Sequence, residues 1–169
     1  MDHFKNQQVQ QLPDVSVLDF KKIHKAYLKV ILLTTIVVAC IAFVGVYFLI
    51  EYKLQEEIPN YTVYIYLGVA VLFLSIFSYL IVGFSRRKYV VRDRDITYKS
   101  GVLIKTMTTV PFSRIQHVEI NEAPISRLFS LASLNVFTAG DSSRDLVIKG
   151  IKKEEALKIK EFINQQINE

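Results

Sequence analysis

Few side chains in this sequence have a type and spacing that could support catalysis. The residue types that bind zinc or act as nucleophiles stand far apart, at His3, His24, Cys40 and His117. Zinc ligands occur at short, characteristic intervals, which this spacing does not provide. The chain also has no phosphate-binding glycine loop, no dinucleotide-binding glycine motif and no nucleophile elbow. We therefore expect no metal, no cofactor and no enzymatic activity.

A second candidate for chemistry is the segment GDSSRD at residues 140–145, which brings two serines close to two aspartates. A serine beside a carboxylate is the beginning of a nucleophilic site. The segment opens with glycine, however, and Asp and Ser are common turn residues because their short side chains hydrogen-bond to the local backbone. We interpret it as a hairpin turn, and we find no small-molecule substrate site in the sequence.

Two arginines, Arg114 and Arg127, are candidates for contact with anionic lipid or with an acidic partner. Together they would form part of a basic face. Alternatively, Arg114 in the segment PFSRI anchors a surface ion pair. We favour this alternative for Arg114. Isolated arginines are common on the surfaces of small β domains, the fold predicted below for this part of the chain, and such surface pairs contribute little to stability.

Residues 92–95, the turn of the first predicted hairpin after the apolar part of the chain, bear on lipid specificity. Phosphoinositide recognition requires several unpaired cations that bind phosphate oxygens. Residues 92–95 read Arg-Asp-Arg-Asp, so each cation stands beside an anion and we expect no such recognition. Weaker attraction to anionic lipid remains open, because residues 86–169 carry fifteen Lys and Arg against ten Asp and Glu. We expect no nucleic-acid binding, since acidic residues are interspersed among the basic ones.

These residues belong to a chain that divides into apolar and charged parts. Of its 169 residues, 51% are hydrophobic and 22% are charged. The runs Val30–Ile50 and Tyr61–Phe84 contain no charge at all. The first run would form a helix of about 32 Å, which matches a hydrocarbon core of about 30 Å. We predict a membrane hairpin over residues 30–84, with spans at 30–50 and 61–84.

The charges that flank the spans predict their orientation. The connecting loop, residues 51–60, carries three glutamates against one lysine and is short enough to require an antiparallel hairpin. Lys21, Lys22, Lys25 and Lys29 precede the first span, and a basic cluster at residues 86–88 follows the second. Positive charge next to a span stays on the cytoplasmic side. We therefore predict a cell-membrane protein with both termini cytoplasmic and the loop external.

Residues 1–29 form a cytoplasmic N-terminal tail in this scheme. After Asp14, a residue type that begins helices, four apolar residues share one helical face with lysines around them. They are Phe20, Ile23, Tyr27 and Val30. The pattern predicts a short basic amphipathic helix at the membrane interface. A lysine cluster that only sets the topology would explain the charges equally well.

Residues 85–169 have the pattern of an antiparallel β domain. Short β-prone runs, separated by turn residues, lie at 88–91, 96–100, 104–110, 117–121, 134–138 and 145–149. Gly150 is predicted to end the last strand. A helix follows, with Ala156, Ile159, Ile163 and Ile167 on one face. The predicted fold is a roughly seven-stranded antiparallel meander closed by a C-terminal helix, because no βαβ alternation occurs.

Several motifs in this domain carry a family resemblance. They are VPFSRIQHV at 110–118, RLFSLASL at 127–134, Thr138–Gly140 and the closing helix. With a two-span hairpin before the domain, the chain resembles the bacterial pleckstrin-homology (PH) domain proteins of the YdbS-like kind. The resemblance implies a PH-like β-barrel or sandwich, no catalytic activity, and pairing with larger membrane proteins that bear several such domains. One difference is Ser130, where the family usually has glycine.

Two hypotheses about function follow from these observations. The first is a non-enzymatic, membrane-anchored interaction module that assembles with itself or with a larger membrane protein bearing several PH-like domains. Envelope maintenance is one process that such a module could serve. The second is a sensor of anionic membrane lipids without specific phosphoinositide recognition.

The contact surface of such a module is predicted in two places. The predicted strand Lys105–Val110, which includes Thr106, carries a single charge and no proline, as is typical of an edge open to strand addition. Within residues 125–131, Phe129 and Leu131 are apolar where a turn-rich stretch would be polar. Alternatively, these two side chains close the open end of the barrel, an interpretation that we favour more for Leu131 than for Phe129.

Overall fold

Two long apolar helices are followed by antiparallel sheets and a C-terminal helix. The computed structural model describes residues 19–54, 61–139 and 146–168. In chain order, the elements are β1 (Lys21–Lys22), α1 (Tyr27–Leu49) with a π-helical continuation (Ile50–Leu54), α2 (Thr62–Arg86), β2 (Lys88–Val91), β3 (Asp95–Ser100), β4 (Thr106–Pro111), a 3-10 turn (Phe112–Arg114), β5 (Ile115–Asn121), α3 (Pro124–Leu128), β6 (Leu131–Thr138), β7 (Leu146–Lys152) and α4 (Lys153–Asn168).

Helices α1 and α2 are both long and apolar enough to cross a membrane, as the uncharged runs predict. They pack against each other, and the rings of Phe43 and Tyr66 stack with their centroids 6.1 Å apart. The hydroxyl of Thr34 donates to the carbonyl of Val30 at 2.7 Å. Such internal hydrogen bonds satisfy polar groups that hydrocarbon cannot. Most other side chains of the two helices are apolar and exposed, as lipid-facing side chains are.

The strands form two antiparallel sheets, in the orders β1-β2-β3-β4 and β5-β6-β7. One hydrophobic core contains side chains from both sheets and from α4. Ile96 of β3, Leu134 and Val136 of β6, Ile148 of β7 and Ile163 of α4 are completely buried in it. Strands with one face on a shared core and one face in solvent produce the alternating pattern seen in the sequence. The predicted antiparallel domain with its closing helix is confirmed.

The seventh strand comes from an unexpected part of the chain. The described part of residues 85–169 contains six strands, one for each β-prone run. The remaining strand, β1, precedes the first membrane helix, and it pairs Lys21 with Tyr89 and Lys22 with Lys88. The segment before the hairpin therefore completes the sheet that follows the hairpin.

The amphipathic helix predicted after Asp14 is wrong for the residues that the structure describes. Lys21 and Lys22 form a strand, and α1 begins only at Tyr27; residues 1–18 lie outside the described part. Pairing with β2 satisfies the backbone of this segment, and Ile23 is only 4% exposed. The four-residue spacing of Ile23 and Tyr27 that suggested a helix instead brings both side chains to one neighbouring residue, described next.

That neighbour is Gly150, which does not end the last strand, because β7 continues to Lys152. Gly150 has a φ of +81° and stands at a shift in the β6–β7 register. A Cβ atom here would lie 2.4 Å from Cγ of Tyr27 and 2.6 Å from Cγ2 of Ile23. The His24 amide donates to the Gly150 carbonyl at 3.1 Å. Glycine is required because both its backbone conformation and the close approach exclude a side chain.

Helix α4 covers the core with the face that its spacing predicts. Ala156 and Ile163 are completely buried, and Ile159 is 8% exposed. Ile167 is 36% exposed, so the prediction that it shares the buried face is wrong. It lies beside the C-terminal end of the helix, and the tightly packed part of the helix ends at Ile163.

Candidate functional site

Three side chains join the segment before α1 to the β domain. The Lys21 ammonium group donates to Oε1 of Glu155 at 2.6 Å, and the Tyr89 hydroxyl donates to the same oxygen. Burial alone would raise the pKa of Glu155, but hydrogen bonds from Lys21 and Tyr89 and the charge of Lys21 bring it below its ordinary value. Burial and the Glu155 carboxylate raise the pKa of Tyr89. Because β1 precedes α1 and β2 follows α2, this cluster holds both ends of the helical hairpin against the domain.

A cavity of about 500 Å³ lies where the helices meet the domain. Its walls come from the first turns of α1, the last turns of α2, the end of β3 with the loop that follows, and β7. The lining residues are Tyr27, Val30, Ile31, Thr34, Thr35, Tyr79, Leu80, Gly83, Arg87, Tyr98, Ser100, Gly101, Val102, Val147 and Lys149. The volume is in the range of small-molecule and cofactor sites.

The cavity combines basic and apolar walls. Arg87 and Lys149 supply two cations, and none of the described residues that line the cavity is acidic. The Arg87 guanidinium lies 5.9 Å from the centre of the Tyr27 ring, a cation–π distance. Burial raises the pKa of Tyr98 despite the opposing charge of Arg87, so its hydroxyl stays protonated and can donate. Such walls suit an anionic group that is carried on an apolar chain.

The two predicted contact arginines do not line this cavity. Arg114 is exposed at the end of the 3-10 turn, and it forms no ion pair with the carboxylates that the structure describes. Arg127 lies in α3, with its Nε 4.0 Å from Oε2 of Glu122, a carboxylate that also binds Lys153 at 2.8 Å. Within the described residues the surface ion pair favoured for Arg114 is therefore not formed, and Arg127 has the weak pair instead. Contact of either arginine with lipid or a partner stays a prediction.

The turn at residues 92–95 pairs one of its two cations, Arg92, whereas Arg94 has no ion pair with the carboxylates that the structure describes. The Nε and Nη2 atoms of Arg92 donate to the two carboxylate oxygens of Asp95 at 2.7 and 2.6 Å. This bidentate pair occupies the guanidinium of Arg92 and leaves one arginine in a hairpin where phosphoinositide recognition would need several free cations. Elsewhere in the described part of the chain, no three His, Cys, Asp or Glu residues form a group that could hold a metal.

The segment around α3 separates a core residue from surface residues. Leu131 is completely buried at the start of β6, so its side chain is not exposed for the predicted contact with a partner. Phe129 is half-buried after α3, and its neighbour Leu128 is 75% exposed. Ser130 has a φ of +53°, a conformation that favours glycine. A contact role for Phe129 stays a prediction.

Strand β4 is the outer strand of the four-stranded sheet, and among the described strands it pairs only with β3. It begins at Thr106, whereas Lys105 belongs to the preceding loop and not to the strand as predicted; both residues are exposed. The outer strand at the opposite side of the same sheet is β1, which has only two residues. Of the residues of β4, only Val110 is buried. An edge strand of this kind is a surface to which another strand can add.

The structure also exposes apolar residues that the sequence analysis missed. The loop at residues 101–105 leaves Leu103 86% exposed and Ile104 82% exposed. Val102 beside them packs on α2, since a Cβ atom on Gly83 would lie 3.4 Å from Cγ2 of Val102. A signal was available: three apolar residues directly follow a turn glycine, where a hairpin in water would be polar.

Comparisons with known proteins agree with this architecture. Two curated relatives come from Bacillus subtilis (strain 168). The UPF0699 transmembrane protein YdbS is 29% identical over 102 residues, covering 59% of this chain and 62% of that protein. The UPF0699 transmembrane protein YdbT is 25% identical over 105 residues, covering 62% of this chain and 20% of that protein. The chain thus matches less than two thirds of the length of either relative.

A solved structure is similar in part. The crystal structure of a DUF1696 family protein with a pleckstrin-homology domain from Shewanella loihica PV-4 aligns with a TM-score of 0.38 at 22% identity. The alignment covers 48% of this chain and 71% of that protein. A family model described as the bacterial PH domain matches residues 26–167. Because this match extends over most of the chain, from the start of the first membrane helix to the closing helix, the protein belongs to the bacterial PH domain family and is a transmembrane member of it.

Proposed function

We propose that the protein is a non-enzymatic, membrane-anchored module whose PH-like domain assembles with a membrane partner through the free edge of β4. The partner is a second copy of this chain or a larger membrane protein with several PH-like domains. The observation that carries the proposal is that β4 is a six-residue outer strand of its sheet and, among the described strands, pairs only with β3. The charges that flank the spans support an assembly at the cytoplasmic face of the cell membrane.

The chemistry of β4 supports strand addition. An outer strand has unpaired backbone donors and acceptors along one side, and natural edges are usually protected by charge or proline. Here Thr106, Met107 and Thr108 precede the first proline, Pro111, and none of the three carries a charge. Confinement to one membrane raises the effective concentration of the partners, so that weak strand pairing suffices for assembly. The match to both a short and a much longer relative in one organism is consistent with a partner of either kind.

The experiment compares the assembly state of the full-length protein with that of two charge variants. Met107 is 45% exposed on β4 and Leu157 is 50% exposed on α4, so Met107→Lys and Leu157→Lys introduce the same charge at similar exposure. We expect the wild type and Leu157→Lys to purify from native membranes in mild detergent as a homo-oligomer or as a complex with the larger partner, whose mass is measured. We expect Met107→Lys to purify as a monomer. A monomeric wild type, or equal assembly of the two variants, would contradict the proposal.

A second candidate function is recognition of anionic phospholipid, and the cavity at the helix–domain junction favours it. Arg87 and Lys149 would bind the phosphate of a headgroup, and the helical walls would contact an acyl chain. Its test uses the full-length protein in nanodiscs of phosphatidylcholine and phosphatidylglycerol. Native mass spectrometry then measures the retained phosphatidylglycerol.

The decisive comparison is between two double variants, one that removes two positive charges inside the cavity and one that removes two positive charges outside it. Arg87→Gln with Lys149→Gln removes both cavity cations, and Lys152→Gln with Lys158→Gln removes two exposed lysines that do not line the cavity. We expect retention of phosphatidylglycerol to fall only in the cavity variant. Equal retention in both double variants would exclude the cavity as the lipid site while leaving the proposed assembly through β4 unaffected.

A further inference from the structure

The loop between β3 and β4, residues 101–105, presents two apolar side chains in a defined conformation. Leu103 and Ile104 are 86% and 82% exposed, the highest values among the large apolar side chains that the structure describes. The loop begins at Gly101, whose φ is +103° and on which a Cβ atom would lie 1.8 Å from the carbonyl oxygen of Ile104. Only glycine fits such a tight turn. The exposure of the apolar pair is therefore a consequence of a closed turn.

This loop lies beside the membrane helices. Cγ2 of Val102 would be 3.4 Å from a Cβ atom on Gly83, so Val102 packs directly on α2. Gly83 precedes Arg86, the last residue of α2, by three positions, which is about 4.5 Å along a helix axis. Val102 also lines the junction cavity together with Thr34 and Leu80, which belong to the two uncharged runs. The start of the loop, at Val102, thus lies beside the apolar part of the helices.

Basic residues border the apolar pair. Lys105 directly follows Ile104 and is exposed, and Arg86 ends the adjacent helix. Long basic side chains beside a membrane extend their charged ends to the headgroups while their stems stay in apolar surroundings. Apolar side chains with basic neighbours are typical of segments that bind the membrane interface.

We propose that this loop inserts Leu103 and Ile104 into the leaflet that surrounds the end of α2. The bilayer is the occupant because the exposed pair directly follows Val102, which packs on Gly83 inside a membrane-spanning helix, so that lipid is the nearest apolar surrounding. The loop is then a third point of membrane attachment beside α1 and α2. The inference goes beyond assembly and headgroup recognition, since it requires neither a partner nor a bound lipid, and it holds for either orientation of the hairpin.

The chain contains no tryptophan, so one substitution creates a single fluorescent reporter. Leu103→Trp and Ile104→Trp replace exposed apolar side chains and should keep the fold, which circular dichroism verifies. The matched control is Asp93→Trp, an exposed position in the turn at the other end of β3. Six residues of strand separate the two turns, about 20 Å. Each full-length variant is reconstituted into phosphatidylcholine–phosphatidylglycerol vesicles with ordinary or brominated acyl chains.

We expect both loop variants to emit at shorter wavelength than the control and to lose most of their emission in brominated vesicles. We expect Asp93→Trp to emit at long wavelength and to be unaffected by bromine. Loop emission that bromine leaves unchanged would overturn the inference, and if that emission were also blue-shifted, a protein contact would be its cause. Equal quenching of all three variants would also overturn it, because the loop would then not be a distinct point of insertion.

Discussion

The ammonium group of Lys21 lies 2.6 Å from Oε1 of Glu155, although the two residues are 134 positions apart in the chain. Lys21 precedes the first membrane helix, and Glu155 belongs to the closing helix of the β domain. The β domain therefore contacts the chain on both sides of the membrane hairpin: the segment before α1 packs on the domain, and α2 continues directly into β2. Such an arrangement limits the orientations of β4 and of the exposed loop relative to the bilayer.

The carboxylate of Glu155 makes this junction sensitive to acid. Its pKa is lowered in the folded protein, so its contribution to stability is present above the ordinary pKa of glutamate and is lost as the pH falls through the lowered value. We expect Glu155→Gln to lower the free energy of unfolding by about 1–2 kcal/mol at neutral pH. The difference from the wild type should shrink below the ordinary glutamate pKa. Unfolding in detergent, followed by circular dichroism across this range, measures it.

The control is the neighbouring Glu154→Gln, because Glu154 is exposed and has no ion pair among the described residues. Its unfolding free energy should follow the wild type at every pH. A Glu155→Gln deficit that persists unchanged at acid pH would rule out the ionised carboxylate as its source.

Gly150 is the contact point between the β domain and the segment that precedes α1. In Gly150→Ala the new Cβ would stand 2.4 Å from Tyr27, on a backbone with φ of +81°. We expect the substitution to cost about 2–4 kcal/mol of unfolding free energy, since it combines backbone strain with overpacking. Gly68→Ala is the matched control, because nothing lies within 4 Å of a Cβ there. Equal midpoints of thermal unfolding for the two variants would disprove the contact.

Leu131 and Leu128 have the same side chain in opposite environments, three residues apart. Leu131 is completely buried, and Leu128 is 75% exposed. We expect Leu131→Ala to lower the unfolding free energy by about 2–5 kcal/mol through cavity formation, and Leu128→Ala to change it by less than about 0.5 kcal/mol. Denaturant unfolding of the detergent-solubilised protein measures both. Similar losses in the two variants would be incompatible with the burial of Leu131.

The orientation of the hairpin is a prediction of its flanking charges. A fluorescent or enzymatic reporter fused after Glu169 should behave as cytoplasmic, and one inserted near Glu56 should behave as external. The physical reason is that positive charge next to a span stays on the cytoplasmic side: basic residues flank the hairpin, whereas the loop between its two spans is acidic. Reporter activity in the reverse pattern would refute the argument and move the domain to the outer side.

Much of the fold could be predicted because it depends on local properties of the chain. Long uncharged runs specify helices that span a membrane, and β-prone runs between turn residues specify strands. The buried spacing of Ala156, Ile159 and Ile163 specified the core face of α4. Predictions failed at the ends of these patterns, as with Ile167, and where a short pattern had two meanings, as with Ile23.

The candidate sites were less predictable, because each one depends on residues that are distant in sequence. The cavity cations Arg87 and Lys149 come from the end of α2 and from β7, and neither stands in a recognisable motif. The exposed pair Leu103 and Ile104 is visible in the sequence as part of an apolar run, but the β-prone pattern at 104–110 predicts a strand that includes Ile104.

The sequence by itself determined two membrane helices, an antiparallel β domain and a closing helix, because hydrophobic length and periodicity are properties of neighbouring residues. Only the tertiary structure decided that Lys21 and Lys22 add a strand to the sheet and that Ile23 and Tyr27 pack on Gly150. It also decided where the cavity lies. A two-residue strand has no periodicity to detect, and no local pattern encodes which distant edge it will join. That pairing is decided by the free energy of burying both partners together.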